Sequence, residues 1–146
     1  MTTPVSPIHG TAVAIGGQGV LLLGPSGSGK SDLAIRLIDR GARLVADDYV
    51  LAEAEGGLLR LAPPPAIAGL LELRGVGLLR LPALADVVAA LVVDLARPPE
   101  RLPEERHIMV AGVALPTIGL AAFEASAPIK VERALARLAG SPREGE

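Results

Sequence analysis

The chain of 146 residues carries 16 Asp plus Glu against 14 Lys plus Arg, a formal net charge of -2, and half of its residues are apolar. That length suits one domain with a real core and is too short for two, while the apolar content excludes wholesale disorder. Near-balanced charge argues against a nucleic-acid surface held by excess positive charge, and the absence of cysteine excludes disulfides, thiolate nucleophiles and thiolate metal sites.

Residues 1–7 lack the basic region and apolar run of a secretory signal, and every later apolar run is broken by Arg, Asp, Gly or Pro before it reaches membrane-spanning length. The expectation is a cytoplasmic protein with no membrane partner. Segments 1–7 and 141–146 are expected to be flexible ends of a single domain over 1–146. After them, residues 11–15 and 20–23 read as two short strands around Gly16-Gly17-Gln18-Gly19, a candidate hairpin. Residues 31–40 place Leu33, Ala34, Leu37 and Ile38 at helical spacing, with Gly41 as the stop. Residues 43–46 return to an extended pattern that ends in Asp47-Asp48.

Residues 49–52 and 58–61 are expected to pair across the loop 53–57. Pro63-Pro64-Pro65 fits neither a helix interior nor a central strand. Residues 69–81 show one polar cluster, Glu72-Leu73-Arg74-Gly75, without a clear period. Residues 87–93 are valine-rich and wholly apolar, as in a buried strand, and they stop at Asp94. The charged, proline-containing segment 97–106 reads as a surface loop. Short strands are expected at 108–110 and 113–115, and a helix at 130–138. Strand, helix and strand in succession give the α/β class, but they do not give the strand order. With one Phe, one Tyr and no Trp, the core must come from Leu, Val, Ile and Ala, which bury less area each and leave room for self-association. Few aromatics also argue against base stacking on a nucleic-acid partner.

The strongest local signal is Gly24-Pro25-Ser26-Gly27-Ser28-Gly29-Lys30-Ser31, which satisfies G-x-x-x-x-G-K-S, follows an apolar strand and opens a periodic helix. Glycines let successive backbone N–H groups curl inward onto phosphate oxygens, and the helix start adds partial positive charge. Lys30 would reach the β- and γ-phosphates, and Ser31 would offer its hydroxyl to Mg2+. The chain is expected to bind a nucleotide or another polyphosphate. Its second acid is either in Asp47-Asp48 or at Asp94. Adjacent acids repel unless a cation or hydrogen bonds compensate, which favours the pair over Asp94, a residue type that commonly just forms turns.

Together with Ile8-His9-Gly10, the phosphate loop with Asp32, Gly41, Leu44-Val45-Ala46-Asp47-Asp48 and the later run Glu72-Leu73-Arg74-Gly75-Val76-Gly77 resemble the catalytic domain of the HPr kinase/phosphorylase family, most of all its short alphaproteobacterial form. The likeness spans residues 9–81 and weakens beyond. It implies a P-loop α/β fold related to phosphoenolpyruvate carboxykinase and ATP-dependent phosphorylation of a serine on HPr or a nitrogen-branch paralogue. The reverse phosphorylase reaction belongs to the same family, and ATP and Mg2+ are the implied cofactors. The resemblance makes Asp47 the acid/base, with His9 beside it. Lys30 and loop residues Gly24, Pro25, Ser26, Gly27, Ser28, Gly29 and Ser31 would hold phosphates. Ser31, Asp48 and Glu72 would serve the metal, and Arg101 would steady phosphate charge. One departure is residues 122–128, Ala-Phe-Glu-Ala-Ser-Ala-Pro, where longer members carry a basic R-P-G-R-N loop. From the phosphate loop alone, a small-molecule kinase and a nucleotide-sensing module stand beside the protein-kinase reading.

Overall fold

The structure, a computed structural model, describes residues 5–138; of the expected flexible ends, 1–4 and 141–146 lie outside the described residues. In chain order the elements are β1 (Ser6–His9), β2 (Thr11–Ile15), β3 (Gln18–Leu23), α1 (Lys30–Asp39), β4 (Arg43–Ala46), β5 (Tyr49–Glu55) and β6 (Leu58–Ala62). A short 3-10 turn (Pro65–Ile67) leads to β7 (Leu70–Leu73), β8 (Gly77–Arg80), β9 (Val87–Asp94), β10 (His107–Val110), β11 (Val113–Gly119) and α2 (Ala127–Leu138). Nine strands form one sheet with the order β1-β5-β6-β9-β3-β2-β4, β11 lying on β9 and β10 on β11, while β7 and β8 form a separate hairpin. Among the paired strands of the described residues, only β3 with β9 and β9 with β11 run parallel. The α/β class holds, with a mixed and mainly antiparallel sheet.

Two very short connections shape this sheet. Gly10 alone joins β1 to β2, and Asp47-Asp48 alone joins β4 to β5, yet β1 and β5 stand at one end of the strand order and β2 and β4 at the other. The sheet must therefore curl into a half-barrel until its ends meet. The Gly10 N–H donates to the Asp48 carbonyl across that seam at 3.1 Å. A Cβ at Gly10 would lie 2.9 Å from Leu23 Cδ2 and 3.0 Å from the Leu22 carbonyl oxygen, so only glycine makes the crossing without displacement.

Side chains alternate along β3. Val20 and Leu22 join Leu33 and Leu37 of α1 and Val131 and Leu135 of α2 in a core between sheet and helices. Leu21 points into the curl with Val45, Val50, Leu59, Leu61 and Val92. Burial on both faces explains why the central strands read as unbroken apolar runs. Among the described residues no helix is long and apolar enough to cross a membrane.

The hairpin expected over 11–23 is present, as are the helix after the phosphate loop, the strand at 43–46, the buried strand from Val87 and the irregular segment at 97–106. Helix α1 ends in a Schellman arrangement: the Ala42 N–H donates to Leu37 O and the Gly41 N–H to Ile38 O, both at 3.0 Å. Elsewhere the expectations need correction. Ser6 and Pro7 are paired strand residues opposite Ala52 and Leu51, which a proline permits because β1 is an edge strand. The loop expected at 53–57 shrinks to Gly56-Gly57, since Glu53, Ala54 and Glu55 continue β5 in register with β6. Residues 69–81 form the unpredicted hairpin β7-β8. Helix α2 begins at Ala127 rather than 130, because Pro128 in a first turn forfeits an N–H that would lack a helical partner anyway.

Arg40, the residue that caps α1, and Glu132 of α2 tie the helices together through a two-pronged pair, Nε to Oε2 at 2.9 Å and Nη2 to Oε1 at 2.8 Å. The Arg40 hydrogen bonds hold the Glu132 carboxyl below the usual glutamate range against the opposing effect of burial. A depressed carboxyl contributes stability above its unfolded value and loses it as pH falls through its folded value. Between about pH 5 and pH 3 the wild type is expected to lose more melting temperature than Glu132→Gln, whose helix pair no longer titrates. Parallel thermal melts would show this, and identical pH slopes would refute it.

Candidate functional site

The seam of the half-barrel opens on the phosphate loop. Strand β3 ends at Leu23, the chain runs through residues 24–29, and α1 starts at Lys30. Gly29 stands at the helix start with φ +96°, and a Cβ there would lie 2.8 Å from Ala122 Cβ and 2.9 Å from Phe123 Cζ. A side chain is excluded both by conformation and by space. Gly24 is equally close, since its Cβ would meet Ser28 Oγ at 2.5 Å. The Ser28 hydroxyl is itself buried without a hydrogen-bond partner. Lys30 is largely buried and arches back over the loop, its Nζ donating to the carbonyls of Gly24 at 2.7 Å and Pro25 at 3.1 Å.

Along β4, Leu44, Val45 and Ala46 are buried, and Asp47 continues the buried run. Three donors meet its carboxylate. Ser31 Oγ donates to Oδ1 at 2.7 Å, Thr11 Oγ1 donates to the same oxygen at 2.9 Å, and the Glu72 N–H donates to Oδ2 at 3.2 Å. Asp48 then takes a left-handed conformation, φ +71°, which aspartate tolerates better than most residues. That turn sends the second carboxylate outward, 3.5 Å from His9 Nε2. The repulsion expected of adjacent acids is relieved by separation: one faces the phosphate loop, the other faces histidine. His9 in turn lies opposite Tyr49, ring centroids 5.4 Å apart.

These residues line one cavity of about 790 Å³, a volume suited to a nucleotide-sized ligand. His9, Lys30, Ser31, Asp47, Asp48 and Glu72 all border it, as do loop residues Ser26, Gly27 and Gly29. Arg101 does not. Its loop leaves the end of β9 beside the phosphate loop, where the Leu95 N–H donates to Leu23 O, but Arg101 itself is exposed and outside the cavity lining. The prolines at 98, 99 and 103 and the ion pair of Arg106 with Glu100 give that segment its own course. Asp94, the rival acid, accepts the Ala96 N–H at 2.9 Å in a turn, the role common for its residue type.

Among the described residues, no three His, Asp or Glu side chains gather closely enough to hold a metal by themselves. The proposed set of Ser31, Asp48 and Glu72 is thus not a protein cage. What the site offers fits Mg2+, which is commonly held by one or two protein oxygens, waters and substrate phosphates. The Ser31 hydroxyl can present a lone pair to a cation while its O–H still donates to Asp47.

Thr11, Ile67, Leu70 and Phe123 line the cavity without being singled out as site residues in the sequence. Thr11 is fully buried, and Phe123 is two-thirds exposed at the cavity rim. Only a hydroxyl at the start of an otherwise apolar strand signalled the first. Thr11→Val removes one donor from a buried carboxylate and is expected to lower the unfolding free energy by about 1–2 kcal/mol. Urea denaturation would measure it; an unchanged midpoint would mean that Asp47 does not rely on Thr11.

Comparison with known proteins adds kinship to this geometry. The family described as HPr Serine kinase C-terminal domain matches residues 2–89. The HPr kinase/phosphorylase of Clostridium novyi (strain NT) is 44% identical over 88 residues, covering 60% of this chain and 29% of that protein. The protein of the same name from Burkholderia lata is 40% identical over 129 residues, covering 75% of this chain and 38% of its own length. The chain thus spans well under half the length of these curated relatives. A solved structure of the Hpr(Ser) kinase/phosphatase from Coxiella burnetii superposes with a TM-score of 0.77 at 25% identity, covering 90% of this chain and 94% of that one.

Proposed function

The chain belongs to the HPr serine kinase C-terminal domain family, and from that premise we propose that it transfers the γ-phosphoryl group of ATP to a serine hydroxyl of an HPr-type phosphocarrier protein. The observation that carries the proposal is the position of Asp47, fixed by three donors directly beside Ser31 of the phosphate loop. Phosphoryl transfer asks for charge neutralisation and an aligned acceptor rather than for covalent help. Lys30 supplies positive charge to the β- and γ-phosphates, and the loop N–H groups cradle them. Ser31, whose hydroxyl is bonded to Asp47, would hold Mg2+, which would supply neutralisation of the charge shared by those phosphates.

Asp47 Oδ2 carries a single, longer hydrogen bond, so this oxygen is the one assigned to take the acceptor proton. The serine oxygen forms its bond to the γ-phosphorus as the bond to the ADP oxygen breaks, and Asp47 keeps the proton. In the phosphorylase direction Asp47 takes a proton from inorganic phosphate as that phosphate bonds to the phosphoserine phosphorus, the bond to the serine oxygen breaks, and Asp47 returns the proton to that oxygen, leaving serine and pyrophosphate. His9 and Asp48 border the acceptor side and orient the approach, and Glu72 contributes its N–H to Asp47 and its carboxylate to the metal's surroundings. Arg101 enters this reading only if its loop moves toward the cavity.

The finer kinship, with the short alphaproteobacterial form and with phosphoenolpyruvate carboxykinase, is part of the same proposal, as are self-association and a cytoplasmic setting. Its support is the pairing of phosphate loop and acid across one seam. The test is intact-mass analysis of HPr-type proteins, including a nitrogen-branch paralogue, after incubation with this chain and Mg-ATP. A gain of one phosphate on one serine is expected. Binding of Mg-ATP with no transfer to any of them would overturn the protein-kinase reading in favour of a metabolite kinase or a nucleotide sensor.

A further inference from the structure

Phe123 is the sole phenylalanine, and it is 68% exposed although the chain is short of aromatic surface for its core. Its surroundings hold it in that position. Leu120 and Ala122 are buried in the core just before it. The Arg36 guanidinium donates to the carbonyls on both sides of it, those of Ala122 and Glu124, while its Nε donates to Asp32 Oδ1 at 2.8 Å. Glu124 also pairs with Lys130 of α2 at 2.8 Å. The ring edge rests where a Gly29 side chain would stand, and the exposed ring borders the cavity of the phosphate loop.

Helical geometry says which side of the cavity this is. At about 100° per residue, positions 32 and 36 fall on one face of α1, and position 31 points about 120° away from it. The segment carrying Phe123 is anchored on the first face through Arg36, which Asp32 holds in turn, and it packs against Gly29 just before the helix. Asp47 is bonded to Ser31 on the other. The acid and the ring therefore flank the helix start from different sides. A nucleotide with its terminal phosphate toward Asp47 directs its sugar and base the other way.

We propose that Phe123 is the stacking platform for the nucleobase of the bound nucleotide, with Arg36 as the positioning residue that holds it. The proposal rests on the nucleotide reading of the phosphate loop. Because a ring face offers no hydrogen-bond readout, the platform accepts adenine and guanine nucleotides about equally.

The test compares a nucleotide with the same phosphates lacking a base. Calorimetry on the whole chain measures Mg-ATP, Mg-GTP and magnesium tripolyphosphate. Phe123→Ala is expected to weaken both nucleotides roughly tenfold, as loss of one stacked aromatic does, and to leave tripolyphosphate within about twofold. Phe123→Trp restores nucleotide affinity and introduces the chain's sole tryptophan, whose fluorescence is expected to be quenched by ATP and unchanged by tripolyphosphate. Equal weakening of all three ligands by Phe123→Ala would overturn the proposal, since the ring would then merely support Gly29. Unchanged nucleotide affinity with a raised KM for the protein acceptor would overturn it too, making Phe123 a docking residue. If the unmodified chain bound neither ATP nor tripolyphosphate, the phosphate-loop reading itself would fall, a failure distinct from the first two.

Discussion

Asp47→Asn is expected to reduce phosphate transfer by about a thousandfold while Mg-ATP still binds, the loss that follows from removing a general base. The substitution nearly preserves shape. An asparagine carbonyl oxygen in the Oδ1 position can still accept from Ser31 and Thr11, so the phosphate loop keeps its neighbour. The amide nitrogen replaces Oδ2, which faces the Glu72 N–H at 3.2 Å, so two donors oppose each other and no lone pair is left for the acceptor proton. Rate and binding should therefore separate cleanly. Single-turnover transfer measured beside calorimetry would show it, and a rate within a few-fold of wild type would remove Asp47 from the chemistry.

Lys30→Met is expected to have the opposite signature, a loss of nucleotide affinity of about 100-fold with the fold retained. Lys30 is largely buried in the first turn of α1, and its stem can be replaced by methionine at similar volume. What disappears is the ammonium, which here donates to the Gly24 and Pro25 carbonyls and is expected to reach the β- and γ-phosphates. Hydrogen bonds to charged groups contribute about 1.5–3 kcal/mol each, enough for a change of this size. Calorimetric binding of Mg-ATP, with circular dichroism as the folding control, decides it. Affinity within twofold of wild type would mean that the loop holds phosphates by backbone alone.

What depends on near neighbours along the chain was legible in the residues alone. The phosphate loop, the helix that follows and its glycine stop are all written within 18 consecutive residues, 24–41, because turn chemistry, helical period and capping act over one or two turns. The hairpin at 11–23 and the buried strand from Val87 were legible for the same reason. The pairing of Asp47 with Asp48 pointed to a stretch that lines the cavity with the phosphate loop, and the family likeness implies roles for His9 and Glu72 that spacing alone does not carry.

Tertiary structure alone decided how those pieces meet. Nothing local says that Gly10 and Asp47-Asp48 bridge opposite ends of one strand order, yet that closure brings Thr11 and Ser31 onto Asp47 from 36 and 16 positions away. The hairpin at 70–80 was illegible because Leu71 alone is fully buried there, which leaves too little alternation to read. Phe123 reached the phosphate loop through Arg36, 88 residues from the Glu124 carbonyl it holds. Arg101 matched by position in the chain but stands outside the cavity, since its loop follows its own prolines and ion pair. Hydrogen bonds and packing depend on distance in space, and a half-barrel makes neighbours of residues whose separation along the chain no periodicity records.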